Sequence, residues 1–339
     1  MSVLAASQEG AASVAEALRT ASRIDPSDFR SWLREWQDLA RKNSRRADDA
    51  LAAGQLPTAC ANWLRATTYY LASIRPPDAP AEVWREATRS AQACMRLFIR
   101  HGMTGGEVVT LGSRDGAPLE GYFVAGDAAA TGPSLLCIGE PHLHKESILS
   151  LIHQHAGRRR MSMLAIDCFG AGSDLRPLDE VDDQLHANAI STGLDHLLSR
   201  KDVDAQRIVV MAAGASSSRV ARAVAANPRV AAVVCDAGLW EAIETRYLLN
   251  RRHGGEQRLM PGVIPPDLRF EFPVLVTTGE FGWLDRSAAE SFLAPRASRG
   301  ENITLKTFRE SDTASAQGHF DNPTAANEYI FDWIEQQFR

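Results

Sequence analysis

The sequence predicts an α/β protein in two parts. An all-helical N-terminal region spans residues 1–103, and a mostly parallel sheet with helices on both faces spans residues 104–339. Three observations predict it. From about Ala11 to Gly102 the apolar side chains recur at helical spacing, with almost no strand signal. From Glu107 onward short β-branched runs alternate with helical segments, as repeated βα units do. The 339 residues suffice for one large domain plus a helical annex.

In the helical region, Asp25-Pro26-Ser27-Asp28 is a start signal that leads into Phe29, Trp32, Trp36 and Leu39, an i, i+3, i+4 stripe. Gly54 breaks that helix. The pattern resumes from Ala59 to Ile74 with Trp63, Tyr70 and Leu71, and Pro76 and Pro77 break it again. Val83 to Ile99 forms a further helix carrying Trp84, Met95, Leu97 and Phe98. Aromatic stripes at this spacing are expected to pack helix on helix, or onto the next domain, rather than to box a ligand.

In the second part, strands are expected near Val108–Leu111, Leu119–Val124, Ser134–Ile138, Ser162–Ile166, Arg207–Ala212, Val230–Cys235, Val274–Thr278 and Asn302–Thr307. Helices are expected near 145–158, 180–200, 217–227, 238–251, 286–294 and 324–338. Two leading strands before the βα units predict a sheet covered on both faces, with function in the loops beyond the strands' carboxyl ends. The Gly- and Pro-rich stretch from Arg251 to Phe272 reads as a small lid or a surface loop.

Charge limits the partners. A formal net charge of −5 offers no basic field for nucleic acid or an anionic membrane. No stretch has the apolar length to cross a bilayer, and Met1 to Thr20 lacks the basic leader of a signal peptide, so the expected compartment is the cytoplasm. Five widely spaced cysteines without CxxC spacing are expected as buried, reduced thiols. His142, His144, His153 and His155 make two His-x-His pairs. Residues two apart on a helix diverge, so no metal is expected, and no cofactor is either.

The chemistry concentrates at one turn. Strand Ile208-Val209-Val210-Met211 runs into Ala212-Ala213-Gly214-Ala215-Ser216-Ser217-Ser218, and a helical pattern follows at once. A serine at the tip of a sharp strand-to-helix turn needs tiny residues two before and two after it, because strand and helix nearly touch. Gly214 and Ser218 meet that demand around Ser216. The helix N-terminus would direct its free N–H groups at whatever Ser216 attacks. A Ser-rich helix cap without chemistry fits the same letters.

The wider sequence decides between them by resemblance. Ile138-Gly139-Glu140-Pro141-His142-Leu143-His144-Lys145-Glu146 resembles the oxyanion loop of the α/β-hydrolase branch that includes 2,6-dihydroxypseudooxynicotine hydrolase and fungal polyketide chain-shortening and ring-forming enzymes. Ala165-Ile166-Asp167-Cys168-Phe169-Gly170-Ala171-Gly172-Ser173 is similar to that family's Asp-x-x-Gly-x-Gly turn. The segment from Val203 to Ile208 and the strand after Asn227-Pro228 also look like the family's, as does the helical N-terminal region.

The resemblance implies an α/β-hydrolase fold with Ser216 as nucleophile, His319 as base, and the backbone N–H groups of Ser217 and Glu140 as oxyanion donors. A homodimer is the assembly it suggests. His319 lies between the last strand and the closing helix, in the chain order serine, acid, histidine. The acid departs from the pattern, because the usual position falls on Gly282. Asp285 is slightly favoured, and Glu280 and Asp236 are the other candidates. His142, Trp240 and Trp283 are expected near the pocket.

Gly282, Ser218 and Glu140 all depart from the family around one site, so compensation or altered chemistry is expected. The first functional reading is a serine-type hydrolase cleaving an ester or a β-dicarbonyl C–C bond of a small polyketide-like or aromatic secondary metabolite. The second is a non-hydrolytic cyclase or lyase of natural-product biosynthesis, and the third a non-catalytic binding protein.

Overall fold

The apolar stripes of the N-terminal region become five helices: α1 (Ser2–Gln8), α2 (Val14–Ala21), α3 (Phe29–Ala52), α4 (Leu56–Ser73) and α5 (Ala81–Gly102). The structure, a computed structural model, describes residues 2–75, 80–112, 118–126, 132–139, 143–170, 175, 183–213, 217–225, 227–239, 269–282 and 286–339. The start signal works as read, for the Asp28 carboxylate accepts from the Arg30 N–H at 2.9 Å and opens α3. Buried Trp36 meets Tyr69 of α4 and Trp63 stacks on His101 of α5, so the aromatic stripe is the glue of the helical layer. The sequence reading began its helices near Ala11, and the short α1 lies ahead of them.

The described strands that follow are β1 (Gly106–Leu111), β2 (Leu119–Val124), β3 (Ser134–Ile138), β4 (Ser162–Ile166), β5 (Ile208–Ala213), β6 (Ala232–Asp236), β7 (Val274–Gly279) and β8 (Ile303–Phe308). Between and after them lie α6 (Lys145–Arg158), α7 (Asp183–Ser199), α8 (Ser217–Val224), α9 (Arg286–Ala297) and α10 (Pro323–Gln336). The helix expected near 238–251 and most of the Arg251–Phe272 stretch lie outside the described residues.

The strands form one sheet in the order β1-β2-β4-β3-β5-β6-β7-β8. β1 pairs antiparallel with β2 and β2 with β4, and the remaining pairs are parallel. Every residue of β3 and β4 is buried, as expected for central parallel strands covered on both faces. Side chains alternate between two core clusters. Leu135 and Cys137 join α4, α5, α6 and α10 on one face, and Leu136 and Ile138 join α7 and α8 on the other. The first cluster runs without a break from Trp36 and Trp63 into the sheet, so helical layer and sheet share a core. All five cysteines are buried, and none of them is in a disulfide.

Candidate active site

The carboxyl ends of β5, β6 and β7 lie side by side, and the loop after β8 bonds to residues there through Gln317 and His319. β5 ends at Ala213 and α8 begins at Ser217, with three residues between them in the sequence. Those three, Gly214, Ala215 and Ser216, lie outside the described residues, as do Glu140, His142, Trp240, Trp283 and Asp285. Ser217 is fully buried, with its hydroxyl 3.2 Å from the Ala212 carbonyl and 3.3 Å from that of Asp236. Its side chain stitches the turn to β6, so the backbone is what Ser217 has to offer a substrate.

His319 is 1% exposed, in the loop between β8 and α10. That loop is held from within. The Asp321 carboxylate accepts from the Ser315 N–H at 2.8 Å and from the Ala316 N–H at 3.2 Å, and Asn322 caps α10 through the Ala325 N–H at 3.1 Å. Gly318 and His319 both take positive φ, 70° and 53°. Glycine adopts that backbone freely. For histidine it costs on the order of 1 kcal/mol, which the surrounding bonds offset.

The carboxylate that faces the ring is Asp236, the last residue of β6, with Oδ1 3.3 Å from His319 Nε2 and 15% side-chain exposure. Thr277 of β7 stands between them, its Oγ1 2.6 Å from Asp236 Oδ1 and 3.0 Å from His319 Nε2. The Ala237 N–H donates to the same Oγ1 at 2.9 Å. On the ring's other side Nδ1 is 2.7 Å from the Ala314 carbonyl, and the Phe308 ring presents an edge at 4.8 Å. Burial works against charge on both partners. The hydrogen bond and the attraction across the pair outweigh it, raising His319 above its ordinary value and lowering Asp236 below its own.

Glu280 is exposed, and its carboxylate accepts from the Glu310 N–H at 2.8 Å. Gly282 shows why the usual acid position stands empty. A Cβ there would sit 2.9 Å from the Gly279 carbonyl oxygen, 3.0 Å from Gln317 Oε1 and 3.0 Å from Thr278 Oγ1. The Gln317 amide reaches across to donate to the Ala237 carbonyl at 3.0 Å. The space an acid would occupy is taken by the bonds that join the β6, β7 and β8 loops. Thr277 escaped the sequence reading because a β-branched residue in a strand reads as a sheet former, and only the tertiary contact reveals its hydroxyl.

The loop that resembles an oxyanion loop is anchored by buried charge. Lys145, fully buried at the start of α6, has Nζ 3.1 Å from Glu146 Oε1 and 3.3 Å from Asp167 Oδ2. Asp167 also accepts the backbone N–H groups of Lys145 at 3.2 Å and Phe169 at 3.1 Å, clamping the β3 loop to the β4 loop. Glu146 accepts from the Tyr122 hydroxyl at 2.7 Å. Trp84 of α5 covers both loops, packing on His144 and Phe169. Burial pushes His144 down to about 4, so its ring is neutral. His144, Glu146 and Asp167 hold donor atoms within 4.8 Å of one another, the spacing of metal ligands. The Lys145 ammonium already bridges both carboxylates, so a metal ion here would have to compete with a buried cation for the same oxygens.

Comparison with solved structures bears on the fold. 2,6-Dihydroxy-pseudo-oxynicotine hydrolase superposes with a TM-score of 0.75 at 16% identity, over 97% of this chain and 94% of its own. AbyA5 does so with a TM-score of 0.62 at 19% identity, over 95% and 90%. The chain has the fold of these hydrolases, the α/β-hydrolase fold. Among curated proteins it is 30% identical over 249 residues to the hydrolase LUC6 of Fusarium sp, covering 67% of this chain and 57% of that protein. It is also 44% identical over 62 residues to 20-hydroxy-prefusarin hydrolase FUS2 of Gibberella moniliformis, covering 18% of this chain and 15% of that protein. The chain thus matches little more than half the length of the first of these relatives and a short part of the second. No protein-family model matches it.

Proposed function

We propose that the protein is a serine-type hydrolase of a small carbonyl compound, with Ser216 as nucleophile, His319 as base and Asp236 as the acid. The observation that carries the reading is the Asp236–Thr277–His319 cluster, whose Asp236 pairs with Ala213 and accepts from Ser217, the described residues that flank Ser216 in the sequence. Ser216 Oγ forms a bond to the substrate carbonyl carbon as its proton passes to His319. The Ser217 N–H, and that of Glu140, stabilise the oxyanion. The His319 proton then goes to the departing group as its bond to the carbonyl carbon breaks. Water attacks the acyl-serine while His319 takes its proton, and that proton returns to Ser216 Oγ as the acyl–serine bond breaks and the acid leaves. Asp236 stabilises the imidazolium in both steps.

The named relatives are hydrolases, a 20-hydroxy-prefusarin hydrolase among them, and the substrate proposed here is an ester or a β-dicarbonyl C–C bond of a polyketide-like molecule. One observation favours a second reading on the same residues. A histidine whose two nitrogens both face acceptors is equipped to donate a proton, as a cyclase or lyase would need.

A fluorophosphonate probe tests the first reading. It should label the wild-type protein at Ser216, and S216A should lose both labelling and turnover of any ester found to be a substrate. Labelling that survives S216A would remove Ser216 from the role.

A further inference from the structure

We infer that Thr277 is the positioning residue of this site, tying Asp236 to His319 and holding the imidazole doubly protonated at rest. The catalytic consequence rests on the serine-hydrolase reading, whereas the measurement does not.

The argument is a count of protons. The Ala314 carbonyl can only accept, so His319 Nδ1 carries a proton to it across 2.7 Å. Thr277 Oγ1 has one proton to give. Ionised Asp236 can only accept, and at 2.6 Å it takes that proton. His319 Nε2 then faces two oxygens with no proton to spare, Thr277 Oγ1 at 3.0 Å and Asp236 Oδ1 at 3.3 Å. A bare nitrogen lone pair would be set against theirs, while an N–H satisfies both. Turning the ring over would put carbon against the Ala314 carbonyl and against the carboxylate, losing both bonds, so the hydrogen bonds themselves assign the nitrogens.

The surroundings agree with a charged ring. Asp236 faces it from β6, and Asp321 adds negative charge from its own loop. From β8 comes the uncharged Phe308 edge, with Lys306 over that ring at 4.8 Å and Tyr329 of α10 against it. The carboxylates are nearer in effect than the lysine, which acts across an aromatic ring.

A ring that holds both protons cannot accept one from Ser216. On the hydrolytic route the Nε2 proton must first pass to solvent, after which the neutral ring takes the Ser216 proton. Thr277 therefore sets the pH at which the base becomes available, and activity should rise on the alkaline side of the ordinary histidine value.

The test uses the full chain with ¹⁵N-labelled histidine. The His319 ring nitrogens, assigned by their loss in H319Q, are followed by NMR over roughly pH 5 to 9. Both should be protonated at neutral pH. T277S, which keeps the hydroxyl, should retain the titration midpoint. T277V should lower it by about one unit, a tenfold loss of proton affinity. If T277V does not fold, D236N must lower the midpoint instead. A His319 ring with a single N–H at pH near 6 would overturn the inference, as would a midpoint unmoved by T277V or, in its place, by D236N. S216A should leave the titration unchanged, so a failure of the serine reading and a failure of this inference are told apart.

Discussion

At the scale of single residues, the account turns on which carboxylate faces His319. Asp236, Asp285 and Glu280 are all legible in the sequence as candidates, because each follows a strand at the sheet's functional edge. Asp285 was slightly favoured there; it lies outside the described residues, and the described carboxylate that faces the ring is Asp236. Asp236 was expected just beyond its strand, yet it ends β6 itself, and the pairing of Ala213 with Asp236 sets it level with the end of β5. D236N should remove the partner of a buried ion pair, costing about 3 kcal/mol in stability and on the order of 10³-fold or more in turnover. E280Q should change neither, because Glu280 is solvent-exposed. The stability cost has a pH window. The raised His319 contributes fully below the ordinary histidine value of 6.5, and its contribution is lost as pH rises through its higher folded value. The lowered Asp236 contributes above 3.8, and that is lost as pH falls through its lower folded value. Denaturation of wild type and D236N should therefore differ most between about pH 4 and 6.5, and less on either side.

At the scale of elements, the described strands were readable because each is a short, largely β-branched or apolar run between turn residues. β2, β3 and β4 match their expected limits residue for residue. What the sequence did not announce is the anchoring of α6. Lys145 and Glu146 were visible as a family-like pair, but a charged triplet with Asp167 looks in sequence like three solvated residues. Only the sheet's register, Ile138 beside Ile166, brings them together. K145M would leave Glu146 and Asp167 buried with no cation between them. A loss of 3–5 kcal/mol is expected by chemical denaturation, roughly, for so completely buried a group. A loss under about 1 kcal/mol would mean that the carboxylates simply take up protons.

At the scale of the whole molecule, the helical layer is part of the site's support and shares the sheet's core. Gln92 of α5 donates to the Gly170 carbonyl at 3.1 Å, and Glu9 links the N-terminal segment to His155 of α6 at 3.2 Å and to Thr324 of α10. The sequence made both layers legible through their different periods, 3.6 against 2. Their joint core was not legible, since a stripe does not name what it packs on. No described helix is long and apolar enough to cross a membrane. The central claim is that one serine, one histidine and the aspartate at the end of β6 form a single reactive group. A crystal structure of the protein after reaction with a fluorophosphonate tests it most directly. Phosphorus bonded to Ser216 Oγ, with His319 in hydrogen-bond reach and Asp236 on its ring, is the predicted result. An adduct on another residue, or a His319 ring partnered by Asp285, would contradict it.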